Sequence, residues 1–422
     1  MSNTKKKKIS LTNQILLASV LAVIIGSFVG EAMGNIEFIG TIWLRLIQMN
    51  IILLIMTAVI NAIGSIGGAT AGKLSFHTFK YIITMTFFSA FLGLGLALLI
   101  KPGLGVELGG AVAAGTNGLG ATSLVDTLIN FVPKNIFKSM SEGGTVQVIL
   151  FSLVFGIGAS QYVKEEKRDA ILSLVEDLNG VVMKMIKMVM KFAPIGIFAL
   201  LGSVAGTTGL SVVVPMIKFL LALLIADIVM FLVYFPIGAY KIGINPLKMP
   251  KKFAKMSIMA LTITSSAVCL PTKIEDSVEK FGVSRRIADF TGPITMTMNS
   301  SGAVACYVLA IMFMAQSTGT VLTTPEILMG VFLAAMMTMG TIVVPGGSIV
   351  VYTFFASALN LPMESIAILI AVDWFAGALR TVMNVDLDVL IGMLVSYDLG
   401  EFNYDVYNNK VEVEYEQSEQ SA

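Results

Sequence analysis

The chain has 422 residues, 56% of them apolar or aromatic and only 13% charged, with a mean hydropathy of +0.85. A soluble domain is about a quarter charged, so this chain has too few charges to clothe a water-soluble body, and a polytopic membrane protein is expected instead of a cytosolic enzyme. A net charge of +1 gives no reason to expect a nucleic-acid partner, two cysteines in apolar surroundings (Cys269, Cys306) make no disulfide framework, and the single His77 supports no histidine-based metal site.

Crossing the hydrocarbon layer takes roughly 20 residues of helix. Residues 9–30 carry no charge and follow Lys5, Lys6, Lys7 and Lys8, which reads as a signal anchor that stays on as the first span. Further uncharged runs lie between Arg45 and Lys73, Lys80 and Lys101, Glu142 and Lys164, and Lys191 and Lys218. Another covers residues 219–240, interrupted only by Asp227. The clusters Lys73/Lys80, Lys164/Lys167/Arg168 and Lys241/Lys248/Lys251/Lys252/Lys255 fall after even numbers of crossings, so the positive-inside rule places them, and the N-terminus, in the cytoplasm. Lys101, Lys134 and Lys138 fall outside and weaken the bias without reversing it. Residues 106–123, rich in Gly, Ala and Thr, read as an irregular outer loop.

Beyond Lys255 the pattern changes. Residues 256–272 are uncharged but short, with Thr262, Thr264, Ser265, Ser266 and Ala267 at the centre and Pro271 after them. Residues 327–363 are uncharged and too long for a single span, with Val344, Pro345, Gly346, Gly347 and Ser348 near the middle. Both read as hydrophobic hairpins broken at a small-residue tip, and each is followed by a full span, near 289–314 and 366–395. Hairpin plus helix, occurring twice, is an inverted repeat with its binding site where the tips meet. The competing reading is two ordinary spans with Gly-Pro kinks.

The last span carries Asp373, Arg380, Asp386 and Asp388 together with Thr381 and Asn384. At about 100° per residue, Asp373, Gly377, Arg380, Asn384 and Asp388 share one stripe and Asp386 points elsewhere. Ionisable groups at that depth face a polar interior and mark a pathway. Arg380, permanently charged and forked, suits a carboxylate; Asp373 can balance it when no substrate is bound; Asn384 and Asp388 offer hard oxygens to Na⁺. The alternative is an internal ion-pair network that only fixes helix packing. In the preceding span, Thr295, Thr297, Asn299, Ser300, Ser301 and Gly302 would let the helix unwind and aim carbonyls at a cation, or else the hydroxyls bond back to their own helix.

Four blocks in this order (Ser265-Ser266-Ala267 with Pro271; Asn299-Ser300-Ser301-Gly302; Pro345-Gly346-Gly347-Ser348; Arg380-Thr381 with Asn384 and Asp388) resemble the dicarboxylate/amino acid:cation symporter family, which includes the glutamate transporters. Residues 43–49 and 192–198 also resemble that family's second and fifth helices. The resemblance implies an all-α polytopic fold with about eight transmembrane helices and two re-entrant hairpins. It divides the chain into a basic cytoplasmic segment (1–8), mainly scaffold and trimerisation helices (9–245), a transport core (246–397) and a polar cytoplasmic tail (398–422). It further implies a homotrimer in the cell membrane that imports a small carboxylate, a dicarboxylate or an acidic amino acid, by symport with Na⁺, or with H⁺, by an elevator motion, and no organic cofactor. Substrate contacts fall on Ser265, Ser266, Ala267, Val344, Pro345, Gly346, Gly347, Asp373, Gly377, Arg380, Thr381 and Asn384, and Na⁺ contacts on Thr297, Asn299, Asn384 and Asp388.

Two departures bear on function. Ser300 and Ser301 replace a methionine and an aspartate usual in the family, which implies fewer coupled ions. Gly377 stands where amino-acid carriers have an acid for the substrate's amino group, which favours a plain dicarboxylate, whereas the Ser-Ser-Ala and Gly-Gly-Ser tips resemble the serine/threonine branch. Outside this class stand an intramembrane aspartyl protease using Asp227 and Asp388, and a passive channel.

Overall fold

The computed structural model describes residues 11–66, 72–106, 129, 132–142, 145–338 and 347–413. Among these, all regular structure is helical. In chain order the helices are α1 (Leu11–Val29), α2 (Glu37–Ile66), α3 (Lys73–Ile100), α4 (Ile136–Ser141), α5 (Thr145–Glu166), α6 (Ala170–Met190), α7 (Ala193–Thr208) and α8 (Val213–Ile242). They continue as α9 (Met249–Ile263), α10 (Ser266–Glu279), α11 (Arg285–Met298), α12 (Ser301–Ser317), α13 (Thr324–Thr338), α14 (Gly347–Ala358), α15 (Glu364–Asp398) and the short α16 (Tyr404–Tyr407).

By length and composition six of the described stretches can cross a membrane, and α6 with α7, bent by 57°, makes a seventh. The longest, Leu17–Asn61, covers 45 residues and takes in most of α1 and α2. Gly26 lies against Gly202 and Ala205, and Gly30 against Gly206, so α1 runs along α7 in its direction; then Met33 meets Gly202 and Trp43 meets Gly196, in reverse order. The chain turns back at Gly30, whose φ of +70° is a backbone state open to glycine. Counted as two helices, this stretch brings the described set to eight spans, in keeping with the expectation from the sequence. The close approaches at Gly26, Gly40, Gly196 and Gly206 leave no room for a Cβ, the small-residue packing that takes over where lipid removes the hydrophobic drive between helices.

Outward faces carry large apolar side chains in the open: Phe28, Phe76, Leu99, Val154, Leu174 and Leu232 are all exposed. In water such a surface would drive association, and in hydrocarbon it is the ordinary outer face of a bundle. The helix Ser301–Ser317, by contrast, is buried along almost its whole length. It is the centre of the molecule. α3 packs on α12, and α15 packs on α8, α9, α11 and α12.

α9 and α10 are the two arms of the first interrupted segment. Thr264, with φ of +53°, ends α9, and extended Ser265 begins α10. Lys252 Nζ, near the start of α9, donates to Lys280 O just past the end of α10 at 2.9 Å, so the arms fold back and their outer ends meet. A kinked single span would hold those ends far apart. Of the second segment, α13 and α14 are described, and its tip at Val344, Pro345 and Gly346 lies outside the described residues. The spans that follow differ from one another: α15 is one unbroken 35-residue helix, while the first is broken between α11 and α12 at Asn299 and Ser300, which have non-helical ψ values of 104° and 57°.

Candidate functional site

The break between α11 and α12 lies against the middle of α15. Gly302 makes this possible, since a Cβ there would come within 2.7 Å of Arg380 O and 2.8 Å of Met383 Cβ. The first N–H groups of a helix have no partner within it. Here the amide oxygen of Asn384 supplies one from the neighbouring helix, accepting from Gly302 N at 2.9 Å and Ala303 N at 3.3 Å.

The expected stripe on α15 divides into two clusters along its length. In the upper one, Arg380 Nη2 lies 3.3 Å from Asp373 Oδ1, the same oxygen that accepts from the Tyr352 hydroxyl at 3.3 Å. The guanidinium carbon stands 5.8 Å from the centre of the Tyr307 ring, within reach of a cation–π contact. Tyr307 and Tyr352 meet edge to face with ring centres 6.3 Å apart, and the Cys306 thiol is 3.7 Å from the Tyr352 hydroxyl. Arg380 Nη1 is buried with no hydrogen-bond partner among the described residues. Gly377 borders the same guanidinium: a Cβ on it would sit 3.3 Å from Nη2. Thr381 turns its hydroxyl to Gly377 O at 2.7 Å.

In the lower cluster Asp388 is held on both oxygens. Asn299 Nδ2 donates to Oδ1 at 2.8 Å, and Lys273 Nζ forms an ion pair with Oδ2 at 2.6 Å. Lys273 comes from the second arm of the first hairpin and is only 2% exposed. Its ammonium also donates to Gly292 O at 2.9 Å and lies 3.4 Å from Thr295 Oγ1. Asn299 Oδ1 accepts from the Ser301 hydroxyl at 3.0 Å. Asp386, as the helical angle predicts, faces the other way, accepting from Ser257 Oγ of α9 at 2.6 Å, with its second oxygen buried and unpaired among the described residues.

Of the residues expected to contact substrate, the structure therefore brings Asp373, Gly377, Arg380 and Thr381 together on α15, with Asn384 one turn further on. Ser265 opens α10 and is half-buried, Ser266 is buried with no partner for its hydroxyl among the described residues, and Ala267 is exposed. Gly347 is the first residue of α14. Of the four expected Na⁺ ligands, Asn299 and Asp388 are in contact, and Asn384 is spent on the α12 N-terminus. Thr297 is exposed and bonds back to Pro293 O and Ile294 O of its own helix.

Sequence reasoning overlooked Lys273, Tyr307 and Tyr352. Lys273 had a readable signal: it is in helical phase with Cys269, Asp276 and Ser277, all buried on one face of α10, and a lysine in that phase after an uncharged run belongs to the interior. The tyrosines, set in apolar helices, carried none.

An all-helical polytopic bundle with a folded-back pair of arms, and a largely enclosed arginine–aspartate pair on its last long span, has the architecture expected of a membrane carrier. The sequence matches the model of the sodium:dicarboxylate symporter family over residues 11–397. The chain belongs to that family. Among its relatives is a proton/sodium-glutamate symport protein of Bacillus caldotenax, 30% identical over 94% of this chain and 96% of the relative. The proton/glutamate-aspartate symporter of Escherichia coli (strain K12) is 27% identical, covering 93% of each chain. The C4-dicarboxylate transport protein of Anaeromyxobacter sp. (strain K) is 25% identical over 93% of this chain and 91% of the relative. The aspartyl-protease reading is overturned by this membership and by Asp388 itself, whose two oxygens are held by Lys273 and Asn299 and are not paired with Asp227.

Proposed function

We propose that the protein is a secondary active transporter that imports a small dicarboxylate by symport with a cation. The observation that carries this reading is Arg380: a permanently charged guanidinium on a buried stripe, half engaged by Asp373 and with Nη1 free of any partner among the described residues. A buried charge left partly unsatisfied is costly unless a ligand completes it. A carboxylate that bonds Nη1 and draws Nη2 from Asp373 would meet both fork positions. Gly377 puts no side chain beside the guanidinium, which lies close against it, so no acid at that position receives a substrate ammonium, and this favours a dicarboxylate over an acidic amino acid.

The packing supports alternating access. α3, α8, the first hairpin, α11, α12 and α15 hold the site, whereas α1, α2, α5, α6 and α7 pack mainly on one another. We take the first set, with α13 and α14 as the gate, to move as a unit across the bilayer against the second, which forms the centre of a homotrimer in the cell membrane with both termini cytoplasmic. The relatives' names include both proton and sodium coupling, so the driving cation is tested with both.

The test is uptake by proteoliposomes of labelled succinate and labelled glutamate under an inward Na⁺ gradient, an inward H⁺ gradient and no gradient. Accumulation of succinate above glutamate with one of the gradients, abolished in Arg380→Ala, is expected. Preference for glutamate would assign the substrate amino group to Asp373. Equal uptake without any gradient would remove symport, and an Arg380→Ala protein of unchanged affinity would make Arg380 structural.

A further inference from the structure

Resting on the transporter reading, we propose that the Lys273 ammonium is a tethered cation that occupies the cation position at Asp388, so that this protein binds no Na⁺ through that carboxylate. The acceptors around Nζ are of the kind a Na⁺ ion binds. They are a carboxylate oxygen at 2.6 Å, a main-chain carbonyl at 2.9 Å and a hydroxyl at 3.4 Å, all hard oxygen donors. An ammonium has three N–H groups, and these three acceptors use all of them. With Lys273 at 2% and Asp388 at 1% side-chain exposure, neither charge has water to fall back on, and each fixes the other.

The remaining donors of the expected Na⁺ set are committed as well. Asp388 Oδ1 receives the Asn299 amide, and Asn299 Oδ1 receives the Ser301 hydroxyl. The Asn384 oxygen faces two main-chain N–H groups, so a cation there would meet the positive end of α12. Thr297 is outside the cluster. A Na⁺ ion at Asp388 would have to displace a buried, covalently held ammonium or sit against a like charge a few ångströms away. Lys273 comes from the hairpin arm and Asp388 from α15, so the ion pair also ties the first hairpin to the last span in the way a shared bound ion would.

The experiment compares the full-length wild type, Lys273→Met, Lys273→Gln and the double variant Lys273→Met/Asp388→Asn in detergent. ²²Na⁺ binding is measured with choline as the balancing cation, alongside the melting temperature in each salt. Wild type and double variant should bind the same amount of Na⁺, while Lys273→Met should gain saturable binding and a Na⁺-dependent rise in melting temperature that the double variant lacks. The neutral Met–Asn pair removes both charges together, so the double variant keeps a folded reference if the single variants do not accumulate. In that case wild type against double variant decides. Saturable ²²Na⁺ binding in the wild type that the double variant loses overturns the proposal. So does a folded Lys273→Met or Lys273→Gln protein with no gain. Failure of wild-type proteoliposomes to take up succinate or glutamate under any gradient would remove the transport reading, and the ²²Na⁺ comparison would still stand on its own.

Discussion

Lys273, fully buried, and Arg380, largely enclosed, are two cations on facing elements, and they differ in how completely each is satisfied. Lys273 has an acceptor for every N–H, while Arg380 keeps Nη1 free among the described residues and shares Asp373 with Tyr352. A fully satisfied charge is structural or a fixed electrostatic element; a partly satisfied one is where a ligand adds most. The fork matters as well as the charge. Arg380→Lys keeps the charge but offers a compact ammonium of shorter reach in place of the planar fork, so it should lower affinity for succinate by at least 10-fold, about 1.4 kcal/mol. Titration of uptake against concentration checks this; wild-type affinity in the Arg380→Lys protein would mean that the substrate reads charge alone. Gly302 is the glycine this arrangement cannot lose, because any side chain there pushes α12 off α15 and moves the Asn384 cap with it.

Among the elements, the ends of α3, α8 and α15 are held by one carboxylate. Asp398 accepts from Tyr81 at 2.6 Å, pairs with Lys241 at 2.6 Å and lies 3.0 Å from His77 Nδ1, while Lys241 also contacts the Tyr81 hydroxyl. Asp398→Asn leaves those donors with a weaker acceptor, and a loss of about 1–3 kcal/mol is expected, read as a lower melting temperature. A second tie joins the start of α11 to the residues after α15, where Glu401 accepts from Ser284 Oγ at 2.6 Å and pairs with Arg286. The Ser284 hydroxyl first, and then the Arg286 guanidinium, hold the Glu401 carboxyl below the usual carboxylate range. A depressed folded value means the contribution is complete above the ordinary glutamate pKa and is lost as pH falls through the folded one. The Glu401 side chain is 31% exposed, so the effect is that of a surface pair, about 0–1 kcal/mol. Wild type should therefore lose more melting temperature than Glu401→Gln between about pH 6 and about pH 3, and equal losses would show that the tie is energetically silent.

For the molecule as a whole, the outward apolar faces need a bilayer, and the proposed orientation, with both termini cytoplasmic, rests on the charge pattern. Both native cysteines are buried, so they make a quiet background for labelling. In intact cells a membrane-impermeant maleimide should label Lys138→Cys and not Asn409→Cys, with the reverse in inside-out vesicles; Asn409 and Lys138 both lie on exposed ground. Labelling of both from one side would undo the odd number of crossings between them.

Some of this was already legible in the residues. The scarcity of charge required a membrane, the spacing of Asp373, Gly377, Arg380, Asn384 and Asp388 required a shared face with Asp386 off it, and the small-residue run 262–267 marked the break found at Thr264-Ser265, whereas the run 295–302 left unwinding and back-bonding both open, because composition and the fixed angle per residue of a helix reach that far and no further. The pairing of the first span with Gly202 and Gly206 was missing from that reading, as were the Tyr307 and Tyr352 walls around Arg380 and the lysine on Asp388. Each depends on which distant segment arrives opposite: residue 273 meets 388, 307 and 352 meet 380, and 26 meets 202. Helical periodicity says which way a side chain points, and packing alone says what it finds there.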